Sequence, residues 1–169
     1  MTDYETMYKE LQTHLTLQEQ GKQYEDFVTQ TLYQLGQILV SNKSFMNQVG
    51  IGENIIGWEI KNVQTMKKFN ALYVEVSEKA RASNANYVPS GIMRDDNTIF
   101  MVMGDYDTFY VLQKKRLRAM YEGKHYLKLG CWDIPPTPTS TGFGMPLELA
   151  EKMKVFKVVI ENGIPRIEK

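Results

Sequence analysis

In the stretch GWEIKNVQTMKKFNALYVEVSEK, residues 57–79, two short apolar segments each carry a glutamate, Glu59 and Glu75, with lysines nearby. A lone charge inside a strand is costly to bury, so the pattern asks for a partner or a task. Period-two alternation puts Trp58 and Ile60 on one face of the first segment and Glu59, Lys61 and Val63 on the other. In the second, Leu72, Val74 and Val76 share one face, and Tyr73, Glu75, Ser77 and Lys79 the opposite one. A third carboxylate, Glu25, falls in the middle of the inward stripe of a long helical pattern. Carboxylates from two adjacent strands and a packed helix repel at close range unless a divalent cation sits among them, and magnesium suits such an oxygen site. Lys61 beside them would position a metal-bound water, while the metal offsets charge on a phosphoryl oxygen. The same spacing also describes a solvated cross-strand ion-pair ladder, with Glu25 snorkelling or paired to a cation. Both readings stay open on residue types alone.

Other chemistries have little material. Only two histidines exist, His14 in a polar helical segment and His125 in a basic one, which leaves Ser/His/Asp or Cys/His catalysis poorly supplied. The single Cys131 excludes an internal disulfide and a cysteine-cluster zinc site. GIGENIIG has glycines but no following Lys-Ser/Thr and opens no helix, so it is not a phosphate-cradling loop.

These residues need elements to hold them. Asp3 or Thr2 caps a short amphipathic helix, and Thr16 with Glu19 forms a capping-box pattern ahead of a longer one from Leu17 to Val40. Strands are expected at Asn47–Ile51, IIGWEIKNV and ALYVEVSE, the last two joined by the basic turn QTMKKFN. NANYVPSGIMRDDN reads as loop, TIFMVM as a strand buried on both faces, and TFYVLQ as its hairpin partner, followed by a basic helix KKRLRAMYE. CWDIPPTPTSTGFG reads as an irregular surface loop, Pro146 as the start of a short helix, and KVFKVVI as a strand or helix end.

The bulk composition bounds the class. A chain of 169 residues suits one domain, with helices at 3–40, a core at 41–125, and a loop with helix or strand at 131–169. Hydrophobic residues at 43% and charged ones at 24% argue for a globular fold over most of the length. Twenty basic and twenty acidic residues cancel, so any polyanion site must be local. No run approaches the roughly 18 apolar residues of a membrane span and no signal-peptide pattern is present, which predicts a cytoplasmic protein.

GENIIGWEIKN, ALYVEVSEK and YVPSGI, following a helix with GKQYED, resemble the PD-(D/E)XK, or restriction-endonuclease-like, nucleases, in particular small phage and bacterial members. The likeness spans residues 21 to about 112. It implies an α/β (α+β) fold: a mixed sheet of four to five strands led by an antiparallel meander and flanked by helices. It further implies a magnesium- or manganese-dependent DNA endonuclease, working as a homodimer where both strands are cut. Carried over, Glu25 matches the helix acid, Glu59 the acid of E-I-K, and Glu75 the acid of the following strand. Val63 stands where such sequences carry a metal-binding aspartate, and Ser77 where they carry the lysine, a role Lys61 or Lys79 would take. The departures leave a non-catalytic relative that binds DNA or a protein as the alternative. Lys67 and Lys68 on the turn, with Lys114, Lys115, Arg116 and Arg118 on the basic helix, are the expected phosphate contacts.

Overall fold

The computed structural model describes residues 16–37, 54 and 56–169. The helix expected after Asp3, the strand at 47–51 and residues 38–40 of the long helical pattern lie outside them. Helix α1 (Leu17–Gln34) starts as the sequence predicts: Thr16 Oγ1 accepts from the Glu19 N–H at 3.3 Å, and the Glu19 carboxylate accepts from the Thr16 N–H at 2.8 Å. It ends after Gln34 rather than at Val40, where Gly36 adopts φ 82° and turns the chain out of the helix. Tyr24, Val28, Thr31 and Leu32 form its buried side, and Glu25 lies half-buried beside that stripe instead of at its centre.

The strands are β1 (Trp58–Asn62), β2 (Ala71–Glu78), β3 (Val88–Pro89), β4 (Phe100–Gly104), β5 (Thr108–Gln113), β6 (Trp132–Ile134), β7 (Ser140–Pro146), β8 (Phe156–Glu161) and β9 (Ile164–Glu168). They make two sheets, a mixed one ordered β1-β4-β5-β8-β9 and an antiparallel one ordered β3-β2-β7-β6. Short helices α2 (Met66–Phe69), α3 (Lys114–Glu122), α4 (His125–Lys128) and α5 (Leu147–Met153) connect them. The fold is therefore α+β, with β4 parallel to β1 and antiparallel to β5.

Strand parity behaves as expected. Trp58 and Ile60 pack under α1 with Val102, Phe109 and Val111. Met101 and Met103, on the other face of β4, join a second core with Leu72, Val74 and Val76 of β2, Phe143 and Met145 of β7, and Leu117 and Met120 of α3. β4 is thus buried on both faces, which is why it reads as a continuous apolar run.

The expected meander through residues 58–79 does not form. β1 and β2 fall in different sheets, because QTMKKFN folds into the turn of α2, anchored by buried Met66 and closed by Asn70 in the left-handed region. Lys67 and Lys68 therefore sit on a helical turn and not on a hairpin. The expected loop after Cys131 is a hairpin, β6–β7, with Pro135, Pro136 and Pro138 confined to its connection, where no ladder hydrogen bond is lost. Phe156–Glu161 is a strand, and Asn162 and Gly163, at φ 53° and 75°, turn it back into β9. That Asn-Gly pair is the local hairpin signal.

Candidate functional site

Residues of both sheets border one cleft. A cleft of about 450 Å³ opens between the first turns of α1, the end of β1, the start of β2 and the face of β4. Glu25, Lys61, Val63 and Glu75 all line it, together with Gln20, Tyr73, Met101 and Met103. Gln64 Nε2 donates to Gln20 Oε1 at 2.8 Å, tying the chain after β1 to α1.

Each acid is held differently. Glu75 lies on an interior strand, and its Oε1 accepts from the Ser90 hydroxyl at 2.6 Å. Ser90 is fully buried and is followed by Gly91 at φ 50°, where a Cβ would come within 2.4 Å of the Glu75 carbonyl oxygen. Only glycine lets this turn close on β2 so tightly. Tyr73, on the same face, shares a 3.0 Å hydrogen bond with Ser140. Burial raises its pKa, the Ser140 bond opposes this, and the Glu75 charge adds to it, so the phenol stays protonated at neutral pH.

Glu59 sits outside the cleft lining, fully buried on the β1 face shared with Lys61. Its Oε1 is 2.9 Å from Lys61 Nζ, an ion-pair distance, yet neither oxygen meets hydrogen-bond geometry. Lys61 is about a third exposed. Burial would depress Arg94, but the charges of Glu59 and Glu78 overcome this and raise its pKa, so Arg94 is a second cation within electrostatic reach of Glu59. The sequence marks Glu59 as a metal ligand; in the structure it is fully buried, lies outside the cleft lining and is ion-paired with the cleft lysine. Asn54, from GEN, clamps the start of β1: its Oδ1 accepts from the Trp58 N–H at 2.8 Å and its amide donates to the Trp58 carbonyl.

The remaining candidates scatter. Val63 is 4% exposed and packs with Met66, Met101 and Met103 while touching the cleft. Lys79 lies over the Tyr87 ring at 4.3 Å, away from the cleft lining. Lys67 pairs with Asp105 at 3.7 Å and with Asp107, whose hydrogen bond raises its pKa. Lys68 stands 5.2 Å from the Phe69 ring centre. Lys114 is buried against Asp96 at 2.6 Å and cannot meet a phosphate. Arg118 pairs with Glu122, and Lys115 and Arg116 are exposed.

The residues sequence reasoning missed are Tyr73, Ser90, Arg94 and Asn54. Ser90–Gly91 carried a signal, since Ser-Gly after proline marks a tight turn, but nothing local says which acid it meets. Glu25 and Glu75 are hard oxygen donors of the type magnesium takes. Among the described residues no group of three or more His, Cys, Asp or Glu is placed to hold a metal. Magnesium commonly takes one or two protein carboxylates and completes its shell with water and substrate oxygens, so the pair suits it chemically. Among the described residues no helix is long and apolar enough to cross a membrane. No protein-family model, no curated protein and no solved structure matches the chain.

Proposed function

We propose that the cleft is the site of a magnesium-dependent DNA endonuclease, with Glu25 and Glu75 as the cation-holding acids and Lys61 as the phosphate-binding cation. One observation carries this reading: Glu25 of α1, Lys61 of β1 and Glu75 of β2, with Val63 just after β1, line one cleft. Bound magnesium would supply Lewis-acid stabilisation of a phosphoryl oxygen and a more acidic water. The chain's own part is positional. Ser90 holds the Glu75 carboxylate in one orientation, and buried Glu59, 2.9 Å from Lys61 Nζ, anchors the lysine that lines the cleft. Tyr73, kept protonated, is a neutral donor beside Glu75. Acids, ammonium and phenol together match what a phosphodiester with its cation requires.

A second reading, a DNA-binding relative without cleavage, is favoured by Val63, whose isopropyl group is packed into the apolar core where a third carboxylate would sit. Nicking of supercoiled plasmid with magnesium or manganese separates the two, using the wild-type chain, Glu75→Gln and Val63→Asp. The endonuclease reading expects metal-dependent nicking that Glu75→Gln reduces to background with the fold intact. Val63→Asp should raise magnesium affinity and cleavage together, because an aspartate there adds a hard oxygen at the cleft. Cleavage by neither wild type nor Val63→Asp, with DNA still bound, selects the binding protein.

A further inference from the structure

The outer face of the second sheet carries rings that neither core uses. β2, β7 and β6 lie side by side, and Tyr73, Gly144 and Trp132 are in register across them. Trp132 leans over Gly144 so closely that a Cβ there would lie 2.3 Å from the indole. This places the ring against the sheet and turns its other side outward, leaving the residue 41% exposed. Phe69, at the end of α2, is 58% exposed. Neither belongs to either core cluster. Between them lies a pocket of about 210 Å³ lined by Phe69, Tyr73, Trp132, Ile134, Pro135 and Gly144 among others. Thr65 and Tyr73 line both this pocket and the cleft, so the two adjoin. Lys68 Nζ stands 5.2 Å from the ring centre of Phe69, which lines the pocket, so a cation neighbours it.

We propose that this pocket seats an unpaired nucleobase, so that the strand presented to the cleft is single-stranded or locally unpaired DNA. The inference rests on the endonuclease or DNA-binding reading of the cleft and assigns its substrate class. An exposed indole backed by the sheet offers a π-face to any base, and stacking of this kind tolerates every sequence. An apolar pocket alone would suit a peptide side chain equally well. The neighbouring lysine and the adjoining acid-and-lysine cleft favour a ligand that carries both an aromatic base and a phosphate. A duplex buries its bases in the stack and cannot offer one without extruding it.

The whole chain carries its own reporter. Trp58 is buried beneath α1 and Trp132 is exposed, so quenching of tryptophan emission by an oligothymidylate reports Trp132. Oligothymidylate, the same strand made of abasic sites, and a blunt duplex would be titrated against wild type, Trp132→Ala and Trp132→Phe, with circular dichroism as the folding control. The expected result is quenching by oligothymidylate but not by the abasic strand. Trp132→Ala should weaken the single strand about tenfold or more, Trp132→Phe should restore most of that loss, and duplex affinity should not move. Oligothymidylate binding without quenching, at equal affinity in Trp132→Ala, overturns the base seat and leaves the cleft reading standing. Equal weakening of all three ligands makes Trp132 structural and also overturns it. A dimer that Trp132→Ala dissociates in sedimentation shows a second copy on this face and likewise overturns it. Binding of no nucleic acid in any form sinks both readings at once.

Discussion

Two buried acid–lysine pairs lie on the first sheet and its flank, and they are built to opposite specifications. Asp96 and Lys114 are 2.6 Å apart with both side chains under a tenth exposed. Lys114 also donates to the Arg94 carbonyl at 2.7 Å, and Asp96 accepts from the Thr98 N–H at 2.9 Å. Glu59 and Lys61 are 2.9 Å apart, but the carboxylate forms no hydrogen bond and the lysine reaches the cleft. Charge burial is tolerable when hydrogen bonds join the two charges and anchor each to its surroundings, as in the first pair. In the second, the carboxylate oxygens accept no hydrogen bond and the lysine, about a third exposed, lines the cleft.

The sharpest way to break this comparison is to remove one lysine. Lys114→Met leaves Asp96 buried without its counter-charge and should cost about 3–5 kcal/mol in urea unfolding. A loss below about 1 kcal/mol would mean that Asp96 reaches water and that the pair is not structural.

Neutralising the acids tests both sides together. Asp96→Asn weakens charge-assisted bonds to Lys114 and Thr98 and should cost about 1.5–3 kcal/mol. Glu59→Gln loses the attraction to Lys61 but relieves the desolvation of a buried carboxylate that accepts no hydrogen bond, and the lysine left behind is about a third exposed, so stability should stay within about 1 kcal/mol of wild type. Lys61 would lose its buried counter-ion, and any metal-dependent nicking should fall with it. Equal destabilisation by the two changes would erase the distinction.

Acid titration follows the structural pair. Burial raises the Asp96 carboxyl, but the hydrogen bonds from Lys114 and Thr98 and the Lys114 charge outweigh it, and the net shift is downward. A carboxylate with a depressed folded pKa adds stability that is present above its unfolded value, about 3.9, and lost as pH falls through the folded one. Wild type should therefore lose stability progressively below about pH 5, and Asp96→Asn should show a shallower slope. Parallel slopes would assign acid sensitivity to other groups.

The smallest effect is expected on the solvated face of α3. Arg118 pairs with Glu122 one turn on, and Arg118→Ala should change stability by no more than about 0.5 kcal/mol. If this face tracks a DNA backbone, the same variant should lower the salt dependence of binding by about one phosphate contact. An unchanged slope would remove Arg118 from the interface.

Much of the site was legible residue by residue and little of it as an assembly. Glu25, Lys61 and Glu75 were nominated by type and face, and they line one cleft. Lys114 reads as a surface cation because it heads a basic run, yet the first turn of α3 directs it inward to Asp96, eighteen residues earlier. Ser90, which orients Glu75, and the counter-ion role of Glu59 depend on segments that only the fold brings together.

Local properties came from the sequence alone. The capping box of α1, the alternating faces of β1 and β2, the doubly buried β4 with its hairpin partner β5, and the start of α5 at Pro146 each follow from a few neighbouring residues. Side-chain parity and capping are fixed by backbone geometry over one or two turns, so they survive whatever the rest of the chain does. Partner choice was decided by the tertiary structure. β1 lies beside β4 and not β2, and β2 pairs with β7, whose Gly144, opposite Tyr73, leaves the room Trp132 takes, while Gly142, opposite Glu75, lies against the Tyr73 ring. The physical reason is that ladder hydrogen bonds look alike for every strand. Which pairing wins depends on the apolar area both faces bury at once, a sum over residues far apart in the chain.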